Sequence, residues 1–313
     1  MASISCPPNA SPRDDAMQLH RAFKGFGCDN AAVIHILAHR NYAQRALIQH
    51  EYNTIYHEDI MKRLASELTG DFERAVLLWM QNPAERDATL IRNSLTKDSF
   101  NPRPANEVIC SRTPSMIQSI KQYYYSKFGA TLEQDIGRYT TGDHQKLLLA
   151  LVTTPRYEGP EFDRMAADED AKALYKAGER KIGTDENTFI RIFSGRSSAH
   201  LAYVSFAYAN MYGTPLKKVV KGETSGNFQQ CLSTILQCIE NPAAFFAKEL
   251  HKSMKGVGTN DSALIRLIVS RAEIDLQYIK AEYVKKYKKP LQDAVHSETS
   301  GNYKKFLLAL LGP

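Results

Sequence analysis

The sequence predicts an all-α protein built from four copies of one five-helix unit. Three observations carry that prediction. Residues recur at fixed offsets four times along the chain. Apolar residues within each copy keep helical spacing. No segment alternates apolar and polar residues around an Asn-Gly or Asp-Gly hairpin turn. With Cys28, Phe100, Thr184 and Thr259 as origins, an arginine follows twelve residues later each time: Arg40, Arg112, Arg196 and Arg271. A glycine follows after forty-two: Gly70, Gly142, Gly226 and Gly301, preceded by Thr69, Thr141, Ser225 and Ser300. The origins lie 72, 84 and 75 residues apart.

The copies divide the 313 residues into a tail over 1–13 and units over 14–83, 86–155, 169–242 and 245–313. The longest interval holds TTPRYEGPEFDRMAADED, so 156–168 is read as a linker between two halves of two units each. In AAVIHILAHR, Val33, Ile34, Leu37 and Ala38 share a helical face. Leu264, Leu267 and Ile268 do so in SALIRLIVSR. A stretch with two glycines, FKGFGC at 23–28 and MKGVGT at 254–259, falls between the first and second helices. Glycine suits the end of the first, and Asp29 or Asn260 can cap the second. The Thr/Ser-Gly pair falls between the last two helices.

Composition narrows the function. The chain is 43% hydrophobic and 24% charged, ordinary globular material with enough length for large cores. Its apolar runs, Leu147 to Val152 and Phe306 to Leu311, are too short to span a bilayer. MASISCPPNASPRDD has no apolar h-region, so no secretory signal is expected. Five cysteines without a CxxC read as thiols of a reducing compartment, with no zinc site. A net charge of +6 favours anionic partners but is too diffuse for a nucleic-acid binder. No GxxxxGK[ST] cradle for nucleotide phosphates is present.

The two-glycine loops carry the chemistry. Forty residues after Gly27, Gly183 and Gly258 come Glu67, Glu223 and Glu298. In the second unit the loop has become TKDSFN, without glycine, and the matching position is Tyr139. Loop and acid are present together three times and lost together once, as a shared ligand requires and a plain turn does not. Glycines let a loop turn its carbonyl oxygens inward, and carbonyls with a bidentate carboxylate suit Ca²⁺. The carbonyls of Phe23, Gly25 and Gly27 with both oxygens of Glu67 supply five ligands. Calcium takes about 6–8, so positions stay open for water or a partner's oxygen. One carboxylate leaves the site net positive: weak alone, completed by a phosphate, and strengthened by repetition on one body.

The K-G-x-G-T loop with its acid forty residues on resembles the type II calcium site of annexins. The four repeats of roughly seventy residues and the longer central interval match that family too, over essentially all of the chain after Asp14. The short tail, the degenerate second repeat, Cys110 and Cys238 resemble plant annexins. The resemblance implies four five-helix repeats in a slightly curved disc, calcium sites on the convex face, and reversible binding to acidic phospholipid membranes. It implies a cytoplasmic, non-enzymatic protein, peripheral on membranes when calcium rises. Carried over by position, site 1 is Phe23, Gly25, Gly27 and Glu67, and site 4 is Met254, Gly256, Gly258 and Glu298. Cys28 stands where the family has threonine. The longer loop of repeat 3 would offer Gly178, Lys181 and Gly183 with Glu223, and Arg180 and Lys181 beside it add positive charge. The loop-tip residues Phe26, Ile182 and Val257 are expected to touch acyl chains, unless they fold back on their own helices. Lys24 and Lys255 are expected near anionic headgroups.

Weaker signals have plainer readings beside the functional ones. YVKKYKKP (Tyr283 to Pro290) reads as a solvated face, with an acidic partner as the alternative. Cys110 and Cys238 lie in apolar helices as buried thiols, with a redox pair suggested by plant annexins. His39 belongs to a region linked to peroxidase-like activity in the family. IRI (Ile190 to Ile192) resembles an actin-linked motif, which would make F-actin a partner, and reads equally as helix core. A redox or nucleotide-hydrolysing enzyme and calcium-permeable transport are the competing functions.

Overall fold

The computed structural model describes residues 1–25, 27–96, 100–180 and 183–312. Among them are twenty helices and no strand, five helices to each copy. Copy 1 holds α1 (Pro12–Ala22), α2 (Asn30–Leu37), α3 (Tyr42–Tyr56), α4 (Ile60–Glu67) and α5 (Gly70–Met80). Copy 2 holds α6 (Pro83–Thr96), α7 (Arg103–Ser111), α8 (Pro114–Phe128), α9 (Leu132–Tyr139) and α10 (Gly142–Thr153). Copy 3 holds α11 (Arg164–Ala177), α12 (Glu186–Gly195), α13 (Ser198–Tyr212), α14 (Leu216–Glu223) and α15 (Gly226–Glu240). Copy 4 holds α16 (Pro242–Met254), α17 (Asp261–Arg271), α18 (Leu276–Tyr287), α19 (Leu291–Glu298) and α20 (Gly301–Leu311).

The periodic arginines explain themselves once the helices pack. Arg40 grips Asp15 of α1 through two bonds of 2.6 and 2.7 Å. Arg112 grips Asp87 of α6 and Arg196 grips Asp170 of α11 in the same two-pronged way. Each arginine sits at or just past the end of the second helix of its copy and ties that end back to the first. In copy 4 the aspartate position holds Phe246 of α16. Arg271 stacks on that ring at 4.2 Å and pairs with Asp275 instead. The recurring Thr/Ser-Gly pair opens the fifth helix, where all four glycines have φ between +59° and +64°.

The chain forms two compact units, and they are not its two sequence halves. One comprises Met1–Pro83 with Ala243–Pro313, the other Ala84–Pro242. The 156–168 segment, read as the linker between the second and third copies, lies inside the second unit. Its Glu158 accepts from the Ser115 hydroxyl of α8 at 3.1 Å. Helix α11 begins within that segment, because Asp163 caps the amides of Met165 and Ala166.

Inside the first unit, copies 1 and 4 share a core. Phe72 of α5 meets Phe306 of α20 edge-on at 5.9 Å. Arg45 of α3 is fully buried, stacks 3.6 Å over Trp79 and pairs with Glu273 after α17 at 3.0 Å. Trp79 donates its indole N–H to the Leu37 carbonyl at 2.8 Å. The N-terminal segment is fastened to copy 4, where the Ser3 amide donates to the Ala272 carbonyl at 2.8 Å. In the second unit, the Cys110 thiol of α7 hydrogen-bonds with Cys231 of α15; that contact and burial push it well above an ordinary thiol. Cys231, not singled out by the sequence, is the thiol beside Cys110, and Cys238 is half-buried.

Candidate metal centre

Loop 1 starts where α1 stops. Phe23 keeps a helical conformation, its amide donating to Leu19 at 3.2 Å, and its ring is buried edge-on to Tyr52. The ring anchors the residue while its carbonyl leaves the helix ladder. Gly25 and Gly27 then take φ of +115° and +92°, backbone that a Cβ-bearing residue rarely adopts. The chain returns with the Asp29 amide donating to Ala22 at 2.9 Å, and the Asp29 carboxylate caps α2 through the Ala32 amide.

Glu67 is the last residue of α4, and Arg63 sits one turn before it on the same face. The Arg63 Nη2 donates to the Phe23 carbonyl oxygen at 2.9 Å and pairs with the Glu67 carboxylate at 2.8 Å. Two oxygens forty-four residues apart in the chain thus converge on one cationic nitrogen. Such a donor set, a loop carbonyl with a carboxylate, fits a hard cation.

Loop 4 repeats the geometry. Met254 ends α16 buried, Gly256 and Gly258 have φ of +118° and +84°, and the Asn260 amide closes the loop on Ser253 at 2.8 Å. Asn260 caps α17 through the Ala263 amide. Thr259 donates its hydroxyl to the Glu298 carboxylate at 2.8 Å, clipping the acid to the loop. Lys255 is exposed, and Val257 stands wholly in solvent at 110% relative exposure, so it does not fold back on its helices.

Loop 3 has the same frame. The Asp185 amide closes it on Ala177 at 2.8 Å, Gly183 has φ +81°, and Thr184 donates to the Glu223 carboxylate at 3.1 Å. Gly178 faces Glu223 so closely that a Cβ would lie 3.1 Å from its Cγ. Lys181 and Ile182, like Phe26 of loop 1, lie outside the described residues. Copy 2 has nothing comparable among its described residues: Asp135 of α9 accepts from Arg92 and from the Tyr124 hydroxyl, and Tyr139 is half-buried.

Cys28 occupies the place of Thr184 and Thr259. Burial first, then the negative charges of Glu67 and Asp29, push its thiol up to about 11. It is a neutral thiol at neutral pH, a weak donor where the other loops have a hydroxyl.

These loops, four times recurring helices and a missing second site describe a repeat family, and the family model for annexins matches residues 14–79, 86–151, 169–235 and 245–310. The chain belongs to the annexin family. Annexin D5 of Arabidopsis thaliana is 50% identical over 314 residues, spanning 100% of this chain and 99% of that protein, so the plant-type resemblance holds. Among solved structures, annexin III superimposes with a TM-score of 0.97 at 36% identity, covering 100% of this chain and 97% of its own. The calcium-bound annexin (Sm)1 has a TM-score of 0.88 at 30% identity, covering 100% and 93%.

Sequence reasoning missed two parts of this annexin's loops. The threonine clips were legible as Thr184 and Thr259 at repeat origins. Arg63 was legible as a base one helical turn before the paired acid. The weaker signals find ordinary places: Ile190 and Ile192 are buried, Tyr283 and Tyr287 pack against His251, and His39 bonds the His35 carbonyl at 2.8 Å. Among the described residues no helix is long and apolar enough to cross a membrane.

Proposed function

We propose that this annexin binds acidic phospholipid membranes reversibly, through Ca²⁺ held in the loops of repeats 1 and 4. The observation that carries the reading is the convergence, in repeat 1, of the Phe23 loop carbonyl and the distant Glu67 carboxylate on one cationic nitrogen. Phe23, Gly25, Gly27 and Glu67 would hold one ion. Met254, Gly256, Gly258 and Glu298 would hold the other. The bound ion supplies positive charge and open coordination positions to a lipid phosphate. The chain itself supplies the rest: glycine backbone that turns the loop, a carboxylate fixed at the end of a helix, and an exposed apolar tip at Val257. Lys24 and Lys255 add attraction for anionic headgroups, about 1 kcal/mol each near the surface. Calcium and phospholipid binding are general annexin properties, and the likeness to calcium-bound annexin (Sm)1 supports the choice of ion. The protein would act in the cytoplasm, on convex-face sites, as a peripheral protein and not as an enzyme. Repeat 3, with Gly178, Lys181, Gly183 and Glu223, would be a weaker site, because Arg180 and Lys181 add positive charge beside it.

Co-sedimentation with phosphatidylserine vesicles across a calcium series tests this. Glu67→Gln and Glu298→Gln should each raise the calcium needed for half-maximal binding. The double variant should need at least about tenfold more, the least expected for loss of a metal ligand. A double variant that sediments like the wild type would overturn the reading.

A further inference from the structure

We propose that Arg63 is a resident competitor for the cation of repeat 1, so that site 4 fills at lower calcium than site 1. The inference rests on the reading of these loops as calcium sites. The Arg63 guanidinium holds the Phe23 carbonyl at 2.9 Å and the Glu67 carboxylate at 2.8 Å. These oxygens come from the two separate segments that a cation in site 1 would have to bridge. A guanidinium and Ca²⁺ are both positive and cannot share them at contact distance, so one must leave when the other enters.

Among the described residues, repeats 3 and 4 have no such group at the matching position. The residue four before the acid is Ala294 in repeat 4 and Val219 in repeat 3, both buried and apolar. There the acid is held by a neutral hydroxyl, from Thr259 at 2.8 Å and Thr184 at 3.1 Å. A hydroxyl can stay and reorient beside a cation, whereas a guanidinium adds repulsion. Repeat 1 has exchanged both features at once: Cys28 stands for the threonine and Arg63 holds the acid. Glu58, 3.9 Å from the Arg63 Nη1, offers the displaced side chain a second carboxylate on the same side of the loop. The Arg63 side chain is one-third exposed, so it can swing out without opening the core. The sequence of filling follows. Repeat 4 responds first, and repeat 1 responds when calcium is higher or when a membrane phosphate gives the guanidinium another anion to meet.

Calorimetric titration of the full chain with CaCl₂, without lipid, reads this directly. Glu223→Gln with Glu298→Gln isolates site 1. In that background Arg63→Gln should tighten calcium up to roughly fivefold, the scale of one partly exposed ion pair. Arg63→Lys, which keeps the charge but not the two-pronged bridge, should fall between. Lys62→Gln removes the same charge from the neighbouring exposed position and should change affinity less. If Arg63→Gln tightens calcium no more than Lys62→Gln, or weakens it, Arg63 positions Glu67 and does not compete, and the inference fails. Glu67→Gln in the same background separates the two readings. If it leaves calcium binding intact, the site itself is wrongly placed; if it abolishes binding while Arg63→Gln has no effect, only the competition is wrong. Helical circular dichroism on each variant checks that the fold is kept.

Discussion

Val257 is a branched apolar side chain with no neighbour to cover it, at the tip of a loop held by two glycines. Burying such a group in acyl chains contributes roughly 1.5 kcal/mol or more. Val257→Ser should therefore weaken calcium-dependent vesicle binding by about that amount, and leave calcium binding without lipid unchanged. Val257→Trp should report entry into the bilayer as a blue shift when calcium and acidic vesicles are both present. Trp79 does not confuse the reading, because it is fully buried against Arg45 with its N–H bonded to Leu37, and its emission stays constant. Emission that stays water-like would place the tip outside the acyl region and leave attachment to phosphate bridges and lysines, which added salt would loosen. Cys28 makes the complementary point about how much one residue carries. Its thiol, pushed up to about 11, is not a charged partner for a cation, and the glycines before it take positive φ as those of loop 4 do.

At the scale of the element, each loop is a helix end converted into a receptor. The first helix stops on a buried anchor, Phe23 or Met254. Two residues at positive φ turn the chain, and an Asp or Asn cap starts the next helix. No neighbour lies within 4 Å of where a Cβ would stand at Gly256 or Gly258, so only backbone strain opposes a side chain there. Gly256→Ala, at φ +118°, should cost about 1–3 kcal/mol of loop strain. The loop can shed that strain by flattening, so the measurable loss should appear in calcium affinity at site 4, by calorimetry, with thermal stability little changed. An unaltered affinity would show that the glycine backbone does not set the site. Glycine at each loop and its repeated spacing were legible in the sequence. Thr259 stood out as a repeat origin, but its partner did not, because a hydroxyl near a helix end has many partners open to it, and only the packing of α19 against the loop chooses Glu298.

At the scale of the molecule, repeats pair out of order: first with fourth, second with third. Arg45 and Glu273 are the centre of the first pairing, with the guanidinium sealed between Trp79 and the carboxylate. Removing one member of a buried ion pair leaves the other uncompensated, at about 3–5 kcal/mol. Arg45→Ala should lower the melting temperature by several degrees and expose Trp79 to quencher; unchanged melting would show that the pair contributes nothing net. The sequence by itself determined the helical class, the four repeats, the twelve- and forty-two-residue landmarks and the pairing of loop with acid. All of these are periodic, and periodicity needs no coordinates. Tertiary structure alone decided what breaks the period. Arg40, Arg112 and Arg196 find aspartates of the first helix while Arg271 finds Phe246 there and Asp275 on its own side, and the interval at 156–168 stays within one unit. Arg63 reaches the Phe23 carbonyl. The reason is physical: a long charged side chain has several partners within reach along a sequence, and the helix that packs beside it settles which one it meets.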